Sequence, residues 1–192
     1  MGRPTEGDEP NDPAGHPDLS GVAGEMRAVW RAEQEAAAAD AAAQWRHGRT
    51  VADWLCERMH AGDRIAVTVA TQSFVGLVDE VGADLLALRC AFGRVEIHVG
   101  AGIPISFELV EHATHGGTRA TTRRDFRAAL LAREAQSGLR VGTLQRPEGI
   151  DGTLAVGRDF VSVVAPAGAE TMVPIADVAW VAAAGASGER PA

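Results

Sequence analysis

The sequence repeats one pattern twice, first over residues 50–110 and again over residues 122–181. Each copy begins with Thr-x-x-Asp and an aromatic residue, and each continues through a short helical pattern into apolar residues that alternate with polar ones. Each copy also carries Val-Gly-x-Asp and ends with an aliphatic residue, Pro and Ile. A repeat of about 60 residues predicts two similar structural units. Because units of that size bury little surface alone, we expect them to pack on each other.

The repeated positions share the same residue types in both copies. They are Thr50, Asp53, Trp54, Val81, Gly82, Asp84, Leu85, Ile103, Pro104 and Ile105 in the first, and Thr122, Asp125, Phe126, Val156, Gly157, Asp159, Phe160, Val173, Pro174 and Ile175 in the second.

Each copy predicts one helix followed by five strands. Thr50 and Asp53 have the spacing of a capping box before a helix over 51–60, which Gly62 ends. The second helix is predicted over 123–136. Period-two alternation predicts strands at 65–69, 74–81, 84–91, 94–99 and 106–110, and again at 139–144, 150–156, 159–165, 170–173 and 178–182. We also expect a 3₁₀ turn at Pro104. Five short strands led by a helix predict a small closed antiparallel barrel, since closure removes exposed sheet edges.

The repeats are flanked by segments of a different composition. Residues 1–20 are acidic and rich in Gly and Pro, which predicts a disordered leader, and residues 185–192 are predicted to be a disordered tail. Residues 21–47 are dominated by Ala and predict a long helix with Trp30 and Trp45 on one face. That helix could bind a partner or another copy, but we favour packing against the first barrel, which spans 48–110. The linker covers 111–121, and the second barrel spans 122–184.

The charge lies mainly outside the repeats. The chain has a net charge of -8 and contains no Lys. Residues 1–45 hold three Arg against nine acids, whereas residues 46–184 hold 14 Arg against 16 acids. An acidic chain disfavours non-specific binding to nucleic acid. Two Cys are too few for a disulfide framework, and no apolar run is long enough to span a membrane, so we expect a cytoplasmic protein without a signal peptide.

One local group of basic residues is the candidate anion or nucleic-acid surface. It consists of Arg119, Arg123, Arg124 and Arg127 around the start of the second helix. Arginine at a helix N-terminus opposes the helix dipole, so the group needs an external anion or an acid of the same chain as its partner. We favour an intramolecular partner, such as the acidic leader, over phosphates.

Other polar residues have a structural interpretation that we favour over a catalytic one. Glu111, His112 and His115 could bind zinc, but they lie in a Gly-rich linker. Asp79, Glu80 and Asp84 could perform acid–base chemistry, but Asp159 recurs at the place of Asp84, which favours a turn cap. Cys56 and Cys90 have no partner for nucleophilic catalysis. The sequence therefore predicts no enzyme, no cofactor, no metal and no small-molecule substrate.

The turn pattern resembles that of Sm-like proteins, the group that includes the LSm proteins and the RNA chaperone Hfq. It places Gly, Val-Gly, Asp and an aliphatic residue around the bend between the second and third strands. These positions are Gly76, Val81, Gly82, Asp84 and Leu88 in the first copy and Gly152, Val156, Gly157, Asp159 and Val163 in the second. The chain also resembles uncharacterised two-barrel Sm-like proteins of high-GC actinobacteria, in which an Arg-Arg-x-x-Arg-x-x-Leu helix precedes the second barrel. That signature falls here on Arg123, Arg124, Arg127 and Leu130.

The resemblance implies a mainly β fold with helices. We expect two tandem Sm-like or SH3-like five-stranded barrels, each preceded by an α-helix, plus a long N-terminal helix. The residues that bind RNA in Sm-like proteins are not matched, because the bend of the first copy has no Asn and neither 100–102 nor 170–172 carries the second motif. We therefore expect a non-catalytic module for protein–protein interaction or self-association, with RNA binding through the Arg group as the alternative.

Overall fold

The computed structural model describes residues 19–100, 102–114, 116–117, 124–134 and 136–185, with side chains from residue 24 onward. The protein is mainly β and has an N-terminal helix and one open ten-stranded sheet. Its contacts divide into a helical unit that ends at Arg49 and a larger compact unit that begins at Thr50.

The N-terminal helix α1 covers Leu19–Gly48. Its Ala-rich sequence favours this length, because Ala loses the least entropy in a helix. Arg46 and His47 occupy the last turn, where positive charge is stabilised by the negative end of the helix dipole. The Arg49 guanidinium lies 4.2 Å from the centre of the Trp45 ring, so a cation–π contact covers the end of α1. Within the described residues, no helix is both long and apolar enough to cross a lipid bilayer.

The second helix, α2, covers Val51–Ala61, and its predicted capping box is confirmed. Thr50 Oγ1 accepts the N–H of Asp53 at 3.2 Å, and Asp53 Oδ2 accepts the N–H of Thr50 at 2.9 Å. Gly62 ends the helix with a φ of 79°, a left-handed conformation that favours glycine.

The ten predicted strands are present with small shifts of their ends. The first set is β1 (Arg64–Val69), β2 (Gln72–Val81), β3 (Leu85–Cys90), β4 (Gly93–His98) and β5 (Ile105–Glu111). The second set is β6 (Leu139–Thr143), β7 (Ile150–Val156), β8 (Phe160–Val164), β9 (Glu170–Pro174) and β10 (Val178–Ala183).

Two local predictions are wrong, namely the bounds of the helix that leads the second set and the position of the 3₁₀ turn. Helix α3 covers Phe126–Arg133, which is shorter than the predicted 123–136, because the Asp125 side chain accepts the N–H of Ala128 at 2.7 Å and caps the helix there. The 3₁₀ turn expected at Pro104 is found instead after Pro174, at Ile175–Asp177. At Pro104 the carbonyl accepts the N–H of Ala70 at 2.9 Å, and β5 begins at the next residue.

All strand pairs are antiparallel, and the order is β5-β1-β2-β3-β4-β10-β6-β7-β8-β9. Each set of five therefore has its last strand beside its first. The two sets meet where β4 pairs with β10, in a register that places Trp180 opposite Ile97. The prediction of a mainly β chain with helices is confirmed. The described pairings form one open sheet with β5 and β9 at its two edges, and closure of each set into its own barrel is not among them.

The hydrophobic core consists of two clusters, and each cluster includes residues from the other strand set near the β4–β10 pairing, which we call the joint. Trp180 and Ala182 of β10 belong to the cluster of the first set, whereas Leu85 of β3 belongs to that of the second. Trp180 is 1% exposed, and its ring meets Phe74 edge-on with centroids 5.1 Å apart. Because the indole lies directly on Gly142, that position has no room for a Cβ. The last strand of the second set thus completes the core of the first.

Candidate protein-interaction surfaces

The predicted arginine group is only partly described, and its described members bind their own chain. Arg124 lies with Nε 3.3 Å from Glu80 Oε1 and Nη2 3.0 Å from Glu96 Oε1. Arg127 donates to two backbone carbonyls, from Nε to Arg158 at 3.2 Å and from Nη2 to Gly157 at 3.1 Å. Arg119 and Arg123 lie outside the described residues. Arg124 and Arg127 are thus directed at different strand sets and not at a common phosphate.

Glu96 is the acid that the sequence did not single out. Its side chain is 2% exposed, and it lies within 3.2 Å of Arg94 and 3.0 Å of both Arg124 and Arg133. A buried carboxylate is stable only when cations and hydrogen bonds compensate for lost water, and three guanidiniums do so here. Arg124 and Arg133 lie just before and at the end of α3, the helix that leads the second set. Their ion pairs with Glu96 of β4 therefore connect the two halves of the sheet. In the sequence, Glu96 is marked only by its position as a charged residue between apolar Val95 and Ile97 on a predicted strand.

The carboxylates near the first bend serve as partners of arginines and amides. Asp79 pairs with Arg89 and Arg94, and Arg94 also pairs with Glu80. Asp84 lies apart from them, since its Oδ1 accepts the N–H of Phe126, the first residue of α3, at 2.6 Å. Asp84 was expected to cap its own turn, but its side chain instead holds the start of α3.

His98 is a second residue that the sequence did not single out. Its ring stacks on Phe126 with centroids 4.7 Å apart and planes within 2°. Its Nδ1 lies 3.1 Å from the Val178 carbonyl, which can only accept, so Nδ1 carries the proton. His98 thereby contacts β10 and α3 from β4.

The linker residues considered for zinc serve a structural contact where they are described. Asp63 is buried and accepts from Arg58 Nη1 and from the Ala113 N–H, each at 2.8 Å. His112 Nδ1 lies 3.5 Å from the same carboxylate, and His115 lies outside the described residues. Among the residues that the structure describes, no three His, Cys, Asp or Glu are grouped to hold a metal.

Both cysteines are free thiols, Cys90 buried and Cys56 partly buried. Burial raises the pKa of the Cys56 thiol, and the nearby Asp53 carboxylate raises it further. Since the thiolate is the reactive form, Cys56 is a poor nucleophile.

Exposed apolar side chains occur on α1 and at the edges of the sheet. On α1, Trp30 and Trp45 are each 60% exposed, and Met26 and Val29 are similarly exposed. At 3.6 residues per turn, Met26, Trp30 and Trp45 fall within about 100° around the helix axis, so they lie on one side of the helix. Side chains of this size on a helix face are typical of surfaces that bind proteins.

The β9 edge carries the second apolar surface. Met172 is 64% exposed and, with Phe160, Val173, Pro174 and Asp159, lines an open groove of about 310 Å³. Within the described residues, β9 pairs only with β8, and β5 at the opposite edge pairs only with β1. Unpaired strand edges can pair with a strand from another chain, so both edges are candidate surfaces for protein binding.

Compared with known protein families, with curated proteins and with solved structures, the chain has no match.

Proposed function

We propose that the protein is a non-catalytic module for protein–protein interaction. The observation that carries the proposal is a contrast between charged side chains, which are paired within the chain, and large apolar side chains, which are exposed. The charged side chains considered for catalysis or anion binding are, where described, engaged within the chain, whereas Trp30, Trp45 and Met172 are more than half exposed. Large exposed apolar side chains bind other proteins more readily than they bind nucleic acid or small polar ligands.

The architecture that we propose for the larger unit is an internal repeat of two Sm-like barrels. The strand order is the same in both sets, and the same backbone hydrogen bond closes both bends: Gly82 N–H to Leu85 O at 2.7 Å, and Gly157 N–H to Phe160 O at 2.8 Å. The core of the second set combines Val173 of β9 with Val178 of β10, two strands at opposite ends of that set. A flat set would hold them about 19 Å apart, at 4.8 Å per strand, so shared burial supports strong curvature.

RNA binding through the arginine group gains no specific support from the described residues. Arg124 is only partly exposed and paired with Glu80 and Glu96, and Arg127 is bonded to backbone carbonyls. A phosphate would have to displace buried acids to reach Arg124.

We also propose a cytoplasmic location, which the free thiols of Cys56 and Cys90 support.

The test is affinity purification of the tagged full chain from cells that express it, after crosslinking, with and without ribonuclease. We expect a stable protein partner or a second copy of the chain that survives ribonuclease. The double variant Trp30→Glu/Trp45→Glu tests the surface on α1, and Met172→Glu tests the surface at β9. Glu33→Gln on α1 is the matched control. Recovery of RNA without any protein would contradict the proposal and favour the alternative.

A further inference from the structure

We draw no further inference here: the strongest candidate, the exposed face of α1 that carries Met26, Trp30 and Trp45, is an unpartnered apolar surface, and nothing in the structure shows what covers it.

Discussion

The ring of His98 lies parallel to the ring of Phe126, with centroids 4.7 Å apart, while its Nδ1 donates to the Val178 carbonyl. One side chain of β4 thus fixes both the start of α3 and the strand β10. These contacts join the two strand sets through the side chain of His98, while its backbone pairs with Leu85 within the first set.

Replacing His98 should loosen the joint without unfolding either set. We expect His98→Ala to lower the free energy of unfolding by about 1–3 kcal/mol, from the lost ring contact and the lost hydrogen bond together. Urea denaturation measures this loss. His60→Ala removes an exposed histidine of α2 and should change the stability by less than about 0.5 kcal/mol. Equal effects of the two substitutions would show that the stacking contributes nothing.

The buried Glu96 should be more sensitive to loss of charge than any exposed acid. Glu96→Gln leaves Arg94, Arg124 and Arg133 without their shared carboxylate, and we expect a loss of about 3–5 kcal/mol in unfolding free energy. Glu108→Gln on the exposed face of β5 is the matched control, with an effect below about 0.5 kcal/mol. Thermal and urea unfolding of both variants check the difference, and a Glu96 variant as stable as the control would refute the network.

Trp180 should be the largest single contributor from β10 to the core of the first set. Trp180→Ala leaves a cavity beside Phe74, and we expect it to cost about 3–5 kcal/mol. Gly142→Ala tests the same contact from the opposite side, because its methyl group would collide with the indole. The control is Gly24→Ala on α1, because a Cβ at Gly24 meets no other atom. Gly168 cannot serve as the control, since its φ of 85° is itself unfavourable for alanine. A stable Gly142→Ala protein would contradict this packing.

The Arg140–Asp151 pair should make a small, pH-dependent contribution. Two hydrogen bonds, of 2.6 and 2.8 Å, join the side chains, and they hold the pKa of Asp151 below its usual value. A depressed carboxyl pKa adds stability above the unfolded pKa, and this stability is lost as the pH falls through the folded one. Because Asp151 is 45% exposed, we expect Asp151→Asn to cost less than about 1 kcal/mol at pH 7. Melting curves should show the difference vanish in acid, whereas a constant difference would exclude the ion pair as its source.

The local features of the fold could be predicted because short-range chemistry determines them. The capping residues Thr50 and Asp53, the helix end at Gly62 and the strand Ile150–Val156 all follow from spacing or alternation within a few residues. The start of α3 was misplaced because Thr122 and Asp125 can both cap a helix. The choice depends on Asp84, which is distant in sequence and accepts the first N–H of the helix.

The joint between the strand sets could not be predicted, since it depends on contacts between distant residues. Nothing near Trp180 in the sequence indicates that its side chain enters the core of the other set, and the same alternation would place it in its own. Arg124 pairs with Glu80 and Glu96, which spacing along the sequence does not bring together with it. The acidic leader that we favoured as the partner of the arginine group lies, over residues 1–18, outside the described residues. Glu96 was overlooked because an isolated charge on an apolar strand is usually solvated.

The proposed interaction function can be tested most directly by affinity purification of the tagged full chain after crosslinking, with and without ribonuclease. The account predicts that a protein partner or a second copy is recovered with the wild type, survives ribonuclease, and is lost when Trp30→Glu, Trp45→Glu and Met172→Glu are combined. Recovery of RNA without any protein would contradict the account.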